Sequence, residues 1–285
     1  MSGRCLQVKR EILETCTLSN TNDGIVRLLQ ISDTHLFADA SRDLLGIPTA
    51  ASFQAVLHAI TELPQPYDVV LATGDLSQDH SAASYQRFAQ EVTTLQKPVH
   101  WLPGNHDHRV LMQNELQVAG IHPEMQLVGD HWQVILLDSQ VYGTPHGWLS
   151  HLQLEQLEAA LLQYPEKHAL ICLHHHTFPI GSIWLDQHDL KNSSDFLTLL
   201  SHHPQVKAVL CGHVHQEYDQ MHQGIRFLTS PSTCIQFKPL SVDFSLDTMS
   251  PGWRYLQLYP DGRLATQVWR LDPGQFVPDL KSTGY

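Results

Sequence analysis

Short apolar runs recur along the chain at residues 26–31, 69–72, 99–102, 134–137, 169–173 and 206–210. Each is four to six residues long, and several are rich in valine and isoleucine. Mostly apolar runs of this length predict buried strands. Between them the period changes. Ser150 has capping-box spacing to Gln153, and Leu154, Leu157 and Leu161 follow on one helical face. Residues 52–63 and 81–95 predict two further helices, with Pro64 and Pro98 just beyond their ends. In the last part of the chain strands take over. There Pro260-Asp261-Gly262, between residues 254–259 and 263–271, signals a hairpin. Helices and strands alternate first and strands dominate later, so the expected fold class is α/β, a mixed-sheet β-sandwich flanked by helices. Residues 24–285 are expected to form a single domain, with residues 1–23 an N-terminal extension or an edge strand.

Composition narrows the function. Hydrophobic residues make up 42% of the 285, enough for a sizeable core. The 17 Lys+Arg against 29 Asp+Glu leave a net charge of −12, which argues against nucleic acid as a partner. A small anion remains compatible if bound divalent metal supplies local positive charge. Cys5, Cys16, Cys172, Cys211 and Cys234 contain no C-x-x-C pair, and Cys172 and Cys211 sit in strand-like runs. That pattern predicts reduced thiols and a cytoplasmic protein. No signal peptide or membrane span is expected either.

The 20 histidines are the outlier. They cluster in short blocks that follow strand-like runs: Asp33-Thr34-His35, Asn105-His106, His174-His175-His176 and His213-Val214-His215, with Gly74-Asp75 as a fifth block. Ligands in α/β folds sit beyond the carboxyl ends of strands, where these blocks fall. In D-x-H and H-x-H, extended backbone would point both side chains the same way, towards one metal. Taken singly, each block has an ordinary reading as a turn, a helix cap or a polar loop. Jointly, in this order, they point to a metal centre. Carboxylate and amide oxygens mixed with imidazoles suit Fe, Mn or Zn, and neither Ca²⁺ nor a thiolate zinc site.

The order D-x-H, G-D, G-N-H-D, H, G-H-x-H resembles that of the calcineurin-like metallophosphoesterase family over residues 27–217. Within it LLQISDTHLF (28–37), ATGDLSQD (72–79), WLPGNHD (101–107), LDSQVYGTPHG (137–147), CGHVHQE (211–217) and PSTCIQFKP (231–239) look like bacterial class III 3′,5′-cyclic-AMP phosphodiesterases. Residues 250–254, outside the metal blocks, extend that likeness.

The resemblance implies a four-layer αββα fold holding two divalent ions. Fe²⁺ is the first expectation, with Mn²⁺, Co²⁺ or Zn²⁺ as alternatives. One ion would take Asp33, His35, Asp75 and His215. The other would take Asp75, Asn105, His174 and His213, with Asp75 bridging. A hydroxide between the ions would attack phosphorus. His106 would act as general acid, with Asp107 holding its ring. The substrate-facing set would be His35, Asp75, Asn105, His106, His174 and His215. His175 and His176 are left between substrate contact and support, and Asp79 is expected to be structural. Residues 144–147 and 231–239 are candidate pocket walls. The implied activity is hydrolysis of the small-molecule cyclic nucleotide cyclic AMP to 5′-AMP. A broader diesterase acting on glycerophosphodiesters or nucleotide polyphosphates is the alternative, and a non-catalytic scaffold the remaining one.

Overall fold

The computed structural model describes residues 15–18, 23–121 and 123–284. The chain opens with β1 (Thr15–Thr17), β2 (Val26–Ile31) and a two-residue ribbon, β3 (Asp43–Leu44) and β4 (Ile47–Pro48). Then come α1 (Thr49–Glu62), β5 (Val69–Ala72), α2 (Ala82–Val92), β6 (Val99–Trp101) and α3 (Arg109–Val118). The middle holds β7 (Gln126–Val128), β8 (Trp132–Leu136), α4 (His151–Gln163), β9 (His168–Leu173) and α5 (Ser193–Ser201). It closes with β10 (Val206–Cys211), β11 (Tyr218–His222), β12 (Ile225–Thr229), β13 (Gly252–Leu258) and β14 (Leu264–Arg270).

Among the described residues, these strands build two large mixed sheets. One has seven strands in the order β1-β7-β8-β9-β10-β12-β11, the other five in the order β14-β13-β2-β5-β6. Side-chain alternation explains why the strand runs read as mostly apolar on both faces. Leu28 in β2 and Val69 and Leu71 in β5 point between the sheets, towards Trp132, Val134, Leu170 and Leu210. Their neighbours Leu29, Ile31, Val70 and Ala72 point outward onto Phe53 and Val56 of α1 and Phe88 of α2. On the other side, Ile135, Ile171 and Val209 pack against Leu157 and Leu161 of α4 and Phe196 of α5. The layers are therefore helix, sheet, sheet, helix, the four-layer α/β architecture expected.

Arg254 ties the sheets together. From β13 its buried guanidinium donates to the carbonyl oxygens of Thr229 (2.7 and 3.1 Å) and Tyr218 (3.3 Å) in the opposite sheet. It also reaches Thr266 Oγ1 at 3.0 Å.

Local signals came through with one change. Ser150 Oγ accepts from Gln153 N as expected of an N-cap. The reciprocal arm of the box is not made, because Gln153 Oε1 accepts from Asp138 N instead. In the N-terminal segment, β1 pairs in parallel with β7 at the sheet edge. Residues 1–14 and 19–22, including Cys5, lie outside the described residues. Among those described, no helix is long and apolar enough to cross a membrane.

Candidate metal centre

The carboxyl ends of β2, β5, β6, β9 and β10 converge at one end of the sandwich. The segments after β2 and β5 run side by side beyond their strands, with Asp33 N donating to Gly74 O, His35 N to Asp75 O and Leu36 N to Leu76 O (2.9–3.0 Å). This continued ladder holds an unusual backbone. Asp33, His35, Asp75, His213 and His215 all have positive φ, between 47° and 69°. The expectation that D-x-H and H-x-H pairs converge on extended backbone is thus corrected. They converge through left-handed residues, a conformation costing about 1–2 kcal/mol per non-glycine residue. His106 sits in a turn.

The predicted ligands form two overlapping groups. In the first, His35 Nε2 lies 3.2 Å from His215 Nε2, and His215 Nε2 lies 3.4 Å from Asp33 Oδ1. In the second, His174 Nε2 lies 3.1 Å from Asn105 Oδ1 and 3.2 Å from Asp75 Oδ2, and the His213 ring is 5.0 Å from that of His174. Asp75 Oδ2 is also 4.0 Å from His35 Nε2, so one oxygen faces both groups. Its other oxygen, Oδ1, is anchored by the His106 N–H at 2.7 Å.

Hydrogen bonds on the far side of each ring fix which nitrogen faces the centre. His174 Nδ1 and His215 Nδ1 meet main-chain carbonyls of Thr73 (2.7 Å) and Ile235 (2.9 Å), and His35 Nδ1 meets Gln78 Oε1 at 2.6 Å. A carbonyl only accepts, so Nδ1 carries the proton and a neutral ring turns its Nε2 lone pair inward. Two such lone pairs at 3.2 Å cannot bond to each other. Burial lowers the His35 pKa to about 3, which keeps it neutral. His213 and His175 are pushed well below the ordinary histidine range, by burial first and then by neighbouring histidines. Burial opposes the charged form of His174 too, but Asp75 and then Asp33 outweigh it and raise its pKa to about 9, so its Nε2 carries a proton towards Asp75 that a bound cation would displace. Fully buried Nε2 atoms on His213 and His175 have no hydrogen-bond partner among the described residues. Inward lone pairs, two carboxylates and orphaned nitrogens make a donor set that fits divalent cations.

His106 shares a ligand-sized group with His35 and Asp75, its ring 5.1 Å from that of His35, and it also lines the adjoining cavity. Burial lowers its pKa, opposed by the charge of Asp75. Asp107 departs from expectation. Its carboxylate does not hold the His106 ring; it accepts from the N–H groups of Leu76, Ser77 and Gly104 and from the Tyr85 hydroxyl, at 2.9–3.3 Å. It therefore locks the loops after β5 and β6 together, and burial, then Asp75, raises its pKa. Asp79 is structural in the same sense, capping Ala38 N and Ser81 N.

The triple histidine is also resolved in space. His175 joins His174 and His213 in a ligand-sized group, and its Nδ1 meets Ser139 Oγ at 2.8 Å. His176 stacks on His213 (5.8 Å) and lies 3.5 Å from Asp186. A cavity of about 460 Å³ opens over Asn105, His106 and His213. Of the expected walls, Thr144 and Pro145 line it, and Phe237 is the contribution of residues 231–239. Trp184, His188 and Phe244, absent from the sequence expectation, also line it.

Comparison with known proteins agrees with this geometry. The chain is 51% identical to the 3′,5′-cyclic adenosine monophosphate phosphodiesterase CpdA of Escherichia coli, over 94% of this chain and 98% of that protein. It is 42% identical to the CpdA of Pseudomonas aeruginosa over 94% and 98%, and 38% to a 3′,5′-cyclic-nucleotide phosphodiesterase of Nostoc over 86% and 92%. Among solved structures, a dimetal phosphatase from Danio rerio superposes with a TM-score of 0.59 at 16% identity, covering 87% of this chain and 99% of that one, a likeness of fold. The calcineurin-like phosphoesterase profile matches residues 26–217, the stretch that carries every predicted ligand from Asp33 to His215. With fold, converging donors and profile in agreement, the chain belongs to the calcineurin-like phosphoesterase family.

Proposed function

We propose that this chain is a metal-dependent phosphodiesterase that hydrolyses 3′,5′-cyclic AMP to 5′-AMP. The observation that carries this reading is the nearly end-to-end match to a named cyclic-AMP phosphodiesterase, at 51% identity over 94% of the chain. The family uses a dinuclear metal centre, and the histidine–aspartate groups described here suit one. Asp33, His35, Asp75 and His215 would hold one ion; Asp75, Asn105, His174 and His213 the other. Bound there, two divalent ions would supply Lewis-acid charge to a phosphodiester and lower the pKa of water. Fe²⁺ is the expected metal, with Mn²⁺, Co²⁺ or Zn²⁺ as substitutes.

The chain's own residues do the rest. Thr73, Gln78 and Ile235 keep the imidazoles oriented, so little reorganisation is needed when charge develops. His106, on the cavity floor, gives a ring proton to the leaving 3′ oxygen. Asp107 acts by fixing the backbone that carries Asn105 and His106. We read residues 24–285 as one catalytic unit. We place it in the cytoplasm, a reading supported by Cys16, Cys172, Cys211 and Cys234 being free thiols.

The test is product analysis. Protein loaded with Fe²⁺ or Mn²⁺ is given cyclic AMP, cyclic GMP and glycerophosphodiesters, and products are separated by chromatography. Preferential formation of 5′-AMP is expected. Turnover of glycerophosphodiesters with cyclic AMP untouched would replace this reading with the broader diesterase. No turnover by protein carrying two ions per chain would leave only the scaffold.

A further inference from the structure

The chemistry above engages only the phosphate and its leaving oxygen, yet the cavity over the metal groups extends well beyond them. Its floor is polar, formed by Asn105, His106 and His213, while Trp184, Phe237 and Phe244 form an aromatic wall. The three rings pack edge to face, Trp184 at 5.0 Å from Phe237 and 5.2 Å from Phe244. Phe237 is buried and stacks on the candidate ligand His215, centroids 4.2 Å apart and planes 13° apart. The wall is thereby braced against the metal centre. Trp184 and Phe244 line the cavity and are only half-buried.

Half-exposed aromatics beside a polar floor over the candidate metal groups suit a ligand with an anionic end and a flat apolar end. A nucleoside cyclic phosphate has that shape. Phosphate at the floor places the base a ribose away, on the side where the cavity continues. Every base offers a π-face, and stacking on an aromatic side chain is sequence-tolerant.

We propose that Trp184 and Phe244 form the nucleobase subsite, stacking the base while the metal groups hold the phosphate. This assignment rests on the cyclic-nucleotide reading above and deepens it. Phe237 acts as a positioning residue, holding the Trp184 and Phe244 rings in register with His215. Stacking made equally in ground and transition states acts on KM and leaves kcat nearly untouched.

The test compares cyclic AMP with a base-free analogue, methyl ribofuranoside 3′,5′-cyclic phosphate, which has the same reacting ring. For wild type, kcat/KM should favour cyclic AMP. In Trp184→Ala and Phe244→Ala that preference should fall about 5- to 150-fold, through KM for cyclic AMP. Trp184→Phe, which restores a ring, should recover most of it. Turnover of the base-free analogue doubles as the check that each variant is folded and metal-loaded. Variants whose two substrates decline in parallel, or retain the wild-type preference, overturn the subsite. A wild type that uses both substrates equally well overturns the subsite alone. A wild type that uses neither overturns the cyclic-nucleotide reading, and the subsite falls with it.

Discussion

Replacing Gly104 with alanine should disable the centre without removing a single ligand. The chain after β6 passes so close to Asp75 that a Cβ on residue 104 would sit 2.7 Å from Asp75 Cγ, and nearer still to its Oδ1 and backbone nitrogen. Carbon atoms in contact lie roughly 3.5 Å apart or more, so the carboxyl carbon must retreat by about 0.8 Å. Retreat in that direction breaks the bond from His106 N to Oδ1, and it carries Oδ2 away from His174 and His35. A misplacement of about 1 Å costs on the order of 100-fold in rate. Overpacking adds about 1–3 kcal/mol of destabilisation, or about 2–12 °C in Tm for a domain of this size. Gly104→Ala should therefore bind fewer than two ions per chain by elemental analysis, lose about two orders of magnitude in kcat/KM for cyclic AMP, and melt early. Full metal content with wild-type activity would show that Asp75 does not join the two sites, and the bridging assignment would be wrong.

Other perturbations separate the remaining roles. His106→Ala should retain both ions yet lose about 10²- to 10⁴-fold in kcat on cyclic AMP, with a much smaller loss on a diester with a nitrophenolate leaving group; metal loss in this variant would make His106 a ligand. Arg254→Met leaves the Thr229 and Tyr218 carbonyls without their cross-sheet donor, and should cost about 1–3 kcal/mol in a denaturant melt. A variant as stable as wild type would mean that burying the guanidinium costs as much as its bonds return. Glu91 offers a pH test. Its Oε1 accepts from Gln54, its buried Oε2 has no hydrogen-bond partner among the described residues, and burial raises its pKa. A raised carboxyl pKa makes the folded state bind its proton more tightly than the unfolded state, so its ionised form is a liability at neutral pH and is relieved as pH falls. Glu91→Gln should raise Tm at pH 7–8, and the gap should close as pH drops towards the ordinary glutamate range.

The fold was legible wherever both faces of a strand are buried. β2 and β5 alternate between the inter-sheet core and the helix layer, and so are mostly apolar, Arg27 and Gln30 being the exceptions. The short or edge elements were not legible. β11 reads Tyr-Asp-Gln-Met-His and is largely exposed, and α3 buries only Met112 and Leu116, too few to show a period. At the site, residue types and order identified the converging donors, because few other arrangements need so many histidines after strands. What failed was local geometry. Asp107 was assigned to the histidine beside it, whereas its carboxylate serves three N–H groups and a tyrosine, two of those N–H groups in a loop about thirty residues earlier. Trp184 and Phe244 lie in segments whose aromatic residues carry no period and no metal motif, so only folding brings them to the cavity beside the site.

The backbone at the site explains why sequence spacing alone misled. Five candidate ligand residues adopt positive φ without being glycine. At about 1 kcal/mol or more each, that strain is comparable to the whole stability margin of many domains. Hydrogen bonds between the segments after β2 and β5 over-determine the conformation at Asp33, His35 and Asp75. At the opposite end of the cluster, His213 N donates to both oxygens of Asp33, at 3.2 Å, locking the fourth strained residue to the first. Glycine at positions 74, 104 and 212 lets these segments pack closer than any side chain would allow. The strained residues and the glycines are thus one device. Close packing forces the left-handed turns, and the turns aim candidate ligands inward from the ends of three strands, β2, β5 and β10. Residue spacing on an ideal strand contains no trace of it, which is why the candidate ligands could be picked out along the chain while the way they converge could not.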